Sequence, residues 1–308
     1  MFMELTLPNF RVWLTAARLR TLPLSFSGII TGTAMAMSKG FFNPIIFILA
    51  LWCTFLFQVI SNFANDYGDG IKGTDNNNRV GPKRVLQSGL LSAVLLKKAI
   101  IFLSITSFFS VLLLLCIVFG SNQWIYFIVF SFLGGFSIWA AIRYTVGDHA
   151  YGYKGLGDLF VFLFFGLLGV IGSQFLFIQS IESMDILPAL VIGCLSVAVL
   201  NLNNMRDHIN DRQSNKNTLV VKFGYLWAKK YHSTLILVPF FASFFYSFFI
   251  FSSVFQFTHL LTFIPLFFHL YKVLKNKDPK DLDHELKKVA LLTFLWSILF
   301  LIASNYLL

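Results

Sequence analysis

Few residues in this chain are acidic, and several of those are spaced for chemistry. In Asn62-Phe-Ala-Asn65-Asp66-Tyr-Gly-Asp69, positions 62, 65, 66 and 69 fall at i, i+3, i+4 and i+7, one face of an α-helix. Gly68, Gly70 and Gly73 are expected to loosen the chain there, so that Asp75 folds back toward the same face. A second segment runs Asn201-Leu-Asn203-Asn204-Met-Arg206-Asp207-His208-Ile-Asn210-Asp211, with Asn203, Asp207 and Asp211 at i, i+4 and i+8. Both segments follow apolar runs, and an Asp placed at the centre of a membrane helix costs about 2.5–3.5 kcal/mol before like-charge repulsion is added. A hard divalent cation resolves that conflict. Mg²⁺ takes oxygen ligands and is usually held by a few carboxylates together with substrate phosphates. No His or Cys cluster accompanies the acids, which disfavours zinc and iron. The plainer alternative is that these acids only pair with neighbouring Lys and Arg in a solvated loop. Two helical-face clusters in matching places argue against it.

Cations near the acids complete a diphosphate-binding pattern: Lys72, Arg79, Lys83, Arg84, Lys154 and Lys216 are placed to neutralise phosphate oxygens. Each also has a simpler reading as a loop cation that sets membrane orientation. Lys154 stands out because Tyr151-Gly-Tyr153-Lys154-Gly-Leu-Gly157-Asp158 is glycine-rich and lies at the start of an apolar run. His208 sits beside Asp207, but its helical position turns it away from the Asp207–Asp211 face.

The elements that must carry these residues are apolar helices. The chain has 308 residues, 57% hydrophobic and only 12% charged, against roughly a quarter charged in soluble domains. Disorder, fibrous repeats and a disulfide scaffold are excluded on composition. A helix needs about 20 apolar residues to cross the ~30 Å hydrocarbon layer. The expected spans are Leu22–Met37, Pro44–Ser61, Ala99–Phe119, Ile125–Ile142, Leu159–Ile178, Ile186–Leu202, Leu235–Phe251, Phe257–Tyr271 and Ala290–Leu307. Two of the divisions are forced by length, at Gly120-Ser121-Asn122 and at Ser252-Ser253. Cys53, Cys116 and Cys194 all fall inside spans without paired spacing and read as small apolar residues.

A net charge of +10 suggests nucleic acid or anionic lipid until the charges are placed. With nine spans, every Lys and Arg except Lys39 falls on one side. The positive-inside rule then puts the amino terminus in the cytoplasm and the carboxyl terminus outside, and support for nucleic-acid binding disappears. The stretch before Leu22 resembles a charged leader with Ala34-Met35-Ala36 as a cleavage site, but an uncleaved first span fits better. Both acidic segments lie on the cytoplasmic side, four spans apart. This predicts an all-α polytopic membrane protein, one domain over 1–308, with pseudo-repeat halves of about 20–145 and 155–275 and a final helix over 290–307. Parallel repeats of that kind place their sites at the repeat interface.

These strings together resemble the UbiA superfamily of intramembrane prenyltransferases. That family pattern is Asn-Asp-x-x-Asp after the second span and Asp-x-x-x-Asp after the sixth, here Asn65-Asp66-Tyr-Gly-Asp69 and Asp207-His-Ile-Asn-Asp211. Further strings are similar to the branch that prenylates 1,4-dihydroxy-2-naphthoate in menaquinone synthesis. They are Arg20-Thr-Leu-Pro-Leu, Asn65 through Asp75, Arg79-Val-Gly-Pro-Lys-Arg84, Gly152-Tyr-Lys-Gly-Leu-Gly-Asp158 and Asn203-Asn-Met-Arg-Asp207 with Lys216-Asn-Thr-Leu219. They cover about 20–225, and the last three spans match in character only. Many members carry a third Asp four residues after the position of Asp69, whereas here it is Asp75, six residues on.

The resemblance implies nine transmembrane helices around a central cavity, with the Asp motifs at the cytoplasmic ends of the second and sixth. It implies Mg²⁺ held by Asp66, Asp69, Asp207 and Asp211, with Asp75 as a further ligand. Asn62, Asn65, Lys72, Arg79, Arg84, Lys154, Asn203 and Lys216 would bind diphosphate, and Tyr151 and Tyr153 the acceptor. The implied reaction joins polyprenyl diphosphate to 1,4-dihydroxy-2-naphthoate in the inner membrane, releasing diphosphate and CO₂ and giving demethylmenaquinol. Alternatives are transfer to 4-hydroxybenzoate or haem and, in a different class, an ion-coupled transporter. Against a transporter, the acids lie at span ends and not at the midplane.

Overall fold

Asn43-Pro44 is a helix-start signal: the Asn side chain accepts from the Ile45 and Ile46 N–H groups, and proline lacks the N–H that the first helical position would leave unpaired. In the computed structural model of this protein, which describes residues 9–76 and 80–306, that signal opens a helix over Pro44–Ile71. It has 28 residues, about 42 Å at 1.5 Å per residue, and outruns the hydrocarbon layer. Its surplus turns carry Asn62, Asn65, Asp66 and Asp69. The helix Ile186–Gln213, also 28 residues, does the same for Asn203, Asp207 and Asp211. The acids are therefore on rigid helical extensions, not on loops.

In chain order the helices are α1 (Phe10–Ala17), α2 (Leu22–Ser38), α3 (Pro44–Ile71), α4 (Ala93–Phe119), α5 (Trp124–Arg143), α6 (Gly157–Val161), α7 (Ser173–Ile178), α8 (Ile186–Gln213), α9 (Leu219–Phe223), α10 (Tyr225–Ile250), α11 (Phe263–Lys275) and α12 (Leu282–Ser304). A π-helical stretch, Phe162–Gly172, joins α6 to α7, and a 3-10 stretch, Val254–Thr262, leads into α11. Every regular element among the described residues is helical. Eight of the helical segments among them are long and apolar enough to cross a membrane. The helix at the first expected span, α2, has 17 residues, roughly 25 Å. The two long apolar runs break at Gly120, φ +55°, and at Ser253, whose side chain caps the 3-10 stretch together with Gln256.

The glycines after Asp66 do not behave as the sequence suggests. Gly68 and Gly70 lie inside α3, and only Gly73, φ +70°, makes the turn beyond it. Gly68 is there for contact: a Cβ would stand 2.7 Å from the backbone carbon of Thr145, and the Thr145 hydroxyl donates to the Ala64 carbonyl at 2.8 Å. The first acidic helix is thereby seated against the chain leaving α5.

The helices close into a ring because the last packs back on α2: α12 lies against both α2 and α8, and the π-helical stretch also lies against both. The largest buried cluster fills this side, from Met35 and Val170 through Ile192 and Leu195 to Trp296 and Phe300. On the outside, Phe102, Phe132, Phe248 and Phe268 are each more than 60% exposed. Rings on that surface are stable facing hydrocarbon and not water, which suits a membrane helix.

Candidate active site

A cavity of about 610 Å³ lies inside the ring. Its lining follows α3 from Asp69 to Thr54 and α8 from Asp211 to Ser196, in each case roughly 22 Å along the helix axis. The loop end is polar and charged; the depth is walled by Ile29, Phe57, Phe164, Phe165, Leu168 and Val199. One end thus suits an anion with its counter-charges, and the other suits hydrocarbon.

The first acidic face is held from three directions. Asp66 is 1% exposed and ion-paired to Arg18, with Arg84 Nη1 3.5 Å away. Asn62 donates to the Ala17 carbonyl at 2.8 Å, tying α3 to the end of α1. Asp69 Oδ1 accepts from the Tyr153 hydroxyl at 2.7 Å, and Oδ2 lies 3.4 Å from Lys216 Nζ. Because Tyr153 gives its proton to Asp69, the Thr74 hydroxyl, 2.6 Å away, donates to Tyr153. Past Gly73 the chain turns back, the N–H groups of Thr74 and Asp75 both bonding the Asp69 carbonyl. Asp75 is consequently buried in the cavity wall, 3.9 Å from Arg84 Nε.

The second face meets the first through Asn210, which donates to the Thr74 carbonyl at 2.9 Å. Asp207 carries a forked pair from Arg206, and Asp211 lines the cavity beside Lys216. Burial alone would lower the Lys216 pKa, but Asp69 and Asp211 outweigh it and raise the pKa, so the ammonium stays charged. Burial lowers Arg84 to about 10, still protonated at neutral pH. Burial pushes the Tyr144 phenol up to about 12 and raises Tyr153 as well, so both are neutral donors.

Of the residues singled out in the sequence, Asn62, Asn65, Asp69, Asp75, Arg84, Tyr151, Asn203, Asp207, Asp211 and Lys216 line one cavity. Asp66 sits just behind them, bound to the cavity residues Arg18 and Arg84. Tyr153 reaches the site through Asp69. Lys72 and Lys154 are exposed and outside the lining, Lys72 standing 4.0 Å over the Tyr153 ring and Lys154 giving its carbonyl to Lys222. Lys83 is exposed, and Arg79 lies outside the described residues. His208 packs on Tyr225 and bonds the Met205 carbonyl. The structure adds Arg18, Tyr144, Arg206 and Asp283 to the site. By sequence Tyr144 reads as an acceptor-orienting group or an interfacial anchor, and Arg18 and Arg206 read as cations near span ends. Asp283 belongs to neither motif; its sequence signal is an acid just ahead of the final apolar run.

Among the described residues no three acid, His or Cys side chains stand close enough together to hold a metal ion directly. Arg18, Arg84, Arg206 and Lys216 occupy the carboxylates instead. The donor set nonetheless fits Mg²⁺: hard carboxylate and amide oxygens around one cavity mouth, with no soft ligand among them. In this structure the carboxylates are paired, as the plainer alternative expects, but inside a cavity and not in a solvated loop.

Comparison with known proteins accords with this geometry. The model of the UbiA prenyltransferase family matches residues 25–304. The chain is 39% identical over 306 residues to 1,4-dihydroxy-2-naphthoate octaprenyltransferase of Escherichia coli, covering 98% of this chain and 99% of that one. It is 41% identical to the Haemophilus influenzae protein of the same name, covering 95% of each. A solved UbiA homologue from Archaeoglobus fulgidus, bound to DMAPP and Mg²⁺, shares the fold with a TM-score of 0.61 at 13% identity, over 94% of this chain and 99% of that one. With eight apolar segments long enough to span a bilayer and a family match over nearly its whole length, this chain is a multi-pass membrane protein that belongs to the UbiA prenyltransferase family.

Proposed function

We propose that this protein transfers a polyprenyl group from polyprenyl diphosphate to 1,4-dihydroxy-2-naphthoate, giving demethylmenaquinol, diphosphate and CO₂. The observation that carries the reading is a single cavity with both Asp motifs at its mouth and an apolar depth. Near-full-length similarity to two naphthoate octaprenyltransferases supports the acceptor.

In this reading Asp66, Asp69, Asp75, Asp207 and Asp211 hold Mg²⁺. Bound there, the metal supplies Lewis-acid stabilisation of the leaving diphosphate. Lys216 and Arg84 neutralise further oxygen charge as the allylic C–O bond breaks. Tyr144, Tyr151 and Phe160 flank the next section of the cavity, the last two stacked with centroids 4.0 Å apart. An aromatic face that meets the allylic cation stabilises it by ~0.5–2 kcal/mol. The ring carbon bearing the carboxylate attacks that cation. A C–C bond forms, the bond to the carboxylate breaks as CO₂ leaves, and its electron pair restores the aromatic ring. The apolar walls keep water from the cation and receive the start of the prenyl tail.

The two halves of the chain each supply one Asp motif across the cavity. The orientation we propose is nine crossings of the inner membrane, amino terminus and Asp motifs facing the cytoplasm and carboxyl terminus outside, in keeping with the placement of the basic loops. The test is an assay of purified protein in lipid or detergent, following prenylated product, diphosphate and CO₂ with and without chelator. Turnover that survives the Asp66→Ala/Asp207→Ala double substitution refutes the metal site. Turnover on 4-hydroxybenzoate with none on the naphthoate refutes the acceptor.

A further inference from the structure

Arg206 is gripped by two helices. Its Nε and Nη2 donate to Oδ1 and Oδ2 of Asp207 at 2.9 and 2.7 Å, a fork on both oxygens of one carboxylate. Nη2 also donates to Asn203 Oδ1 at 2.7 Å, and Nη1 to Asp283 Oδ1 at 2.5 Å. The Arg206 side chain is 3% exposed, whereas that of Asp283, at the start of α12, is 41% exposed. All four residues line the cavity.

This arrangement sets up a competition. With both of its oxygens in the fork, Asp207 shares its charge with a cation of the chain, and a divalent ion that binds those oxygens competes with the guanidinium for them. Arg206 then needs another anion, because a buried charge left without a partner is strongly destabilising. Asp283 is positioned to be that anion. It sits on a different helix, belongs to neither motif, and holds the one guanidinium nitrogen that does not touch Asp207. We propose that Asp283 is a positioning residue that keeps Arg206 on the cavity wall while Asp207 turns to a divalent cation. The final helix thereby takes part in metal loading. The inference rests on the metal reading of Asp207 given above.

The test is Mn²⁺ binding to purified, substrate-free protein, measured by electron paramagnetic resonance or calorimetry. Asp283→Asn raises the half-saturating Mn²⁺ concentration about fivefold, because the whole Arg206 charge then falls on Asp207, and Asp283→Glu restores it to within about twofold of wild type. In an Arg206→Gln background, Asp283→Asn changes Mn²⁺ binding no further. Asp207→Ala is the control: wild-type binding by that variant overturns the metal reading and this proposal together. Impaired binding by Asp207→Ala with unchanged binding by Asp283→Asn overturns this proposal alone, even where Asp283→Asn lowers the unfolding temperature. An Asp283→Asn effect that persists without Arg206 also overturns it, since the acid then acts directly on the metal. Should Arg206→Gln fail to fold, the contrast between Asn and Glu at 283 decides, and equal weakening by both counts against the tether.

Discussion

Replacing Lys216 by Met tests whether a resident cation and the proposed metal serve the same carboxylates. Lys216 Nζ stands 3.4 Å from Asp69 Oδ2, and both side chains are at most 10% exposed. At an effective dielectric constant of ~20 that pair attracts by about 5 kcal/mol. Desolvation of the ammonium offsets much of this, leaving a net of ~2 kcal/mol. Without metal, Lys216→Met removes that stabilisation and the positive charge that acts on both Asp69 and Asp211, so the unfolding temperature falls by roughly 3 °C. With millimolar Mg²⁺ a second cation serves the same carboxylates, and the loss shrinks to less than half. Catalysis does not recover in parallel, because the ammonium also opposes charge on the leaving diphosphate, and kcat falls roughly 10²-fold. The assay is thermal unfolding in detergent, wild type against variant, in chelator and in MgCl₂. A destabilisation of equal size in both conditions refutes the reasoning, for it means that Lys216 and the metal do not serve the same carboxylates.

Two further outcomes follow from the geometry. Gly32→Val overlaps Ser173 Oγ and the Val170 carbonyl, so α2 is forced off the π-helical stretch; we expect a loss of ~3 kcal/mol or more, or failure to fold, read by thermal unfolding. Burial lifts Tyr144 to about 12 from an ordinary 10, so the folded state keeps a proton that the unfolded chain loses. Stability therefore falls as pH rises from 10 to 12, and the ultraviolet titration difference between wild type and Tyr144→Phe shows a phenol that ionises near pH 12; ionisation near pH 10 refutes this.

Much of the fold was legible because apolar length and turn chemistry act locally. The break at Gly120 is a residue with positive φ, and the break at Ser253 is a capping side chain; both are properties of a few adjacent residues. The apolar spans Pro44–Ser61 and Ile186–Leu202 stop where hydropathy stops; the spacing of the acids carries the helical reading past them, and α3 and α8 continue to Ile71 and Gln213. What sustains the extra turns is not apolar: it is the burial of their acids against Arg18, Arg84, Arg206 and Lys216. Gly68 misled for a related reason, since its missing side chain serves Thr145 across the bundle and not the local backbone. Spacing rules read one helix at a time. They found Asp207 and Asp211 on one face, but the partner that completes Arg206 is Asp283, 77 residues away.

The basic excess divides in the same way. Lys72, Lys83 and Lys154 are exposed on the loop side, where a cation acts on membrane orientation through its position alone. Arg206 and Lys216, both under 10% exposed, belong to the same tally of loop cations, but orientation does not require their burial. Burying a cation is unfavourable unless carboxylates surround it, and burying carboxylates is unfavourable unless cations do. Each set makes the other tolerable. That has a consequence for binding. In the proposed reading, a divalent cation entering the site exchanges with resident cations, and those displaced remain on the cavity wall to meet an incoming diphosphate. Metal and donor are therefore expected to bind with positive coupling, each supplying the counter-charge that the other's arrival leaves unmet.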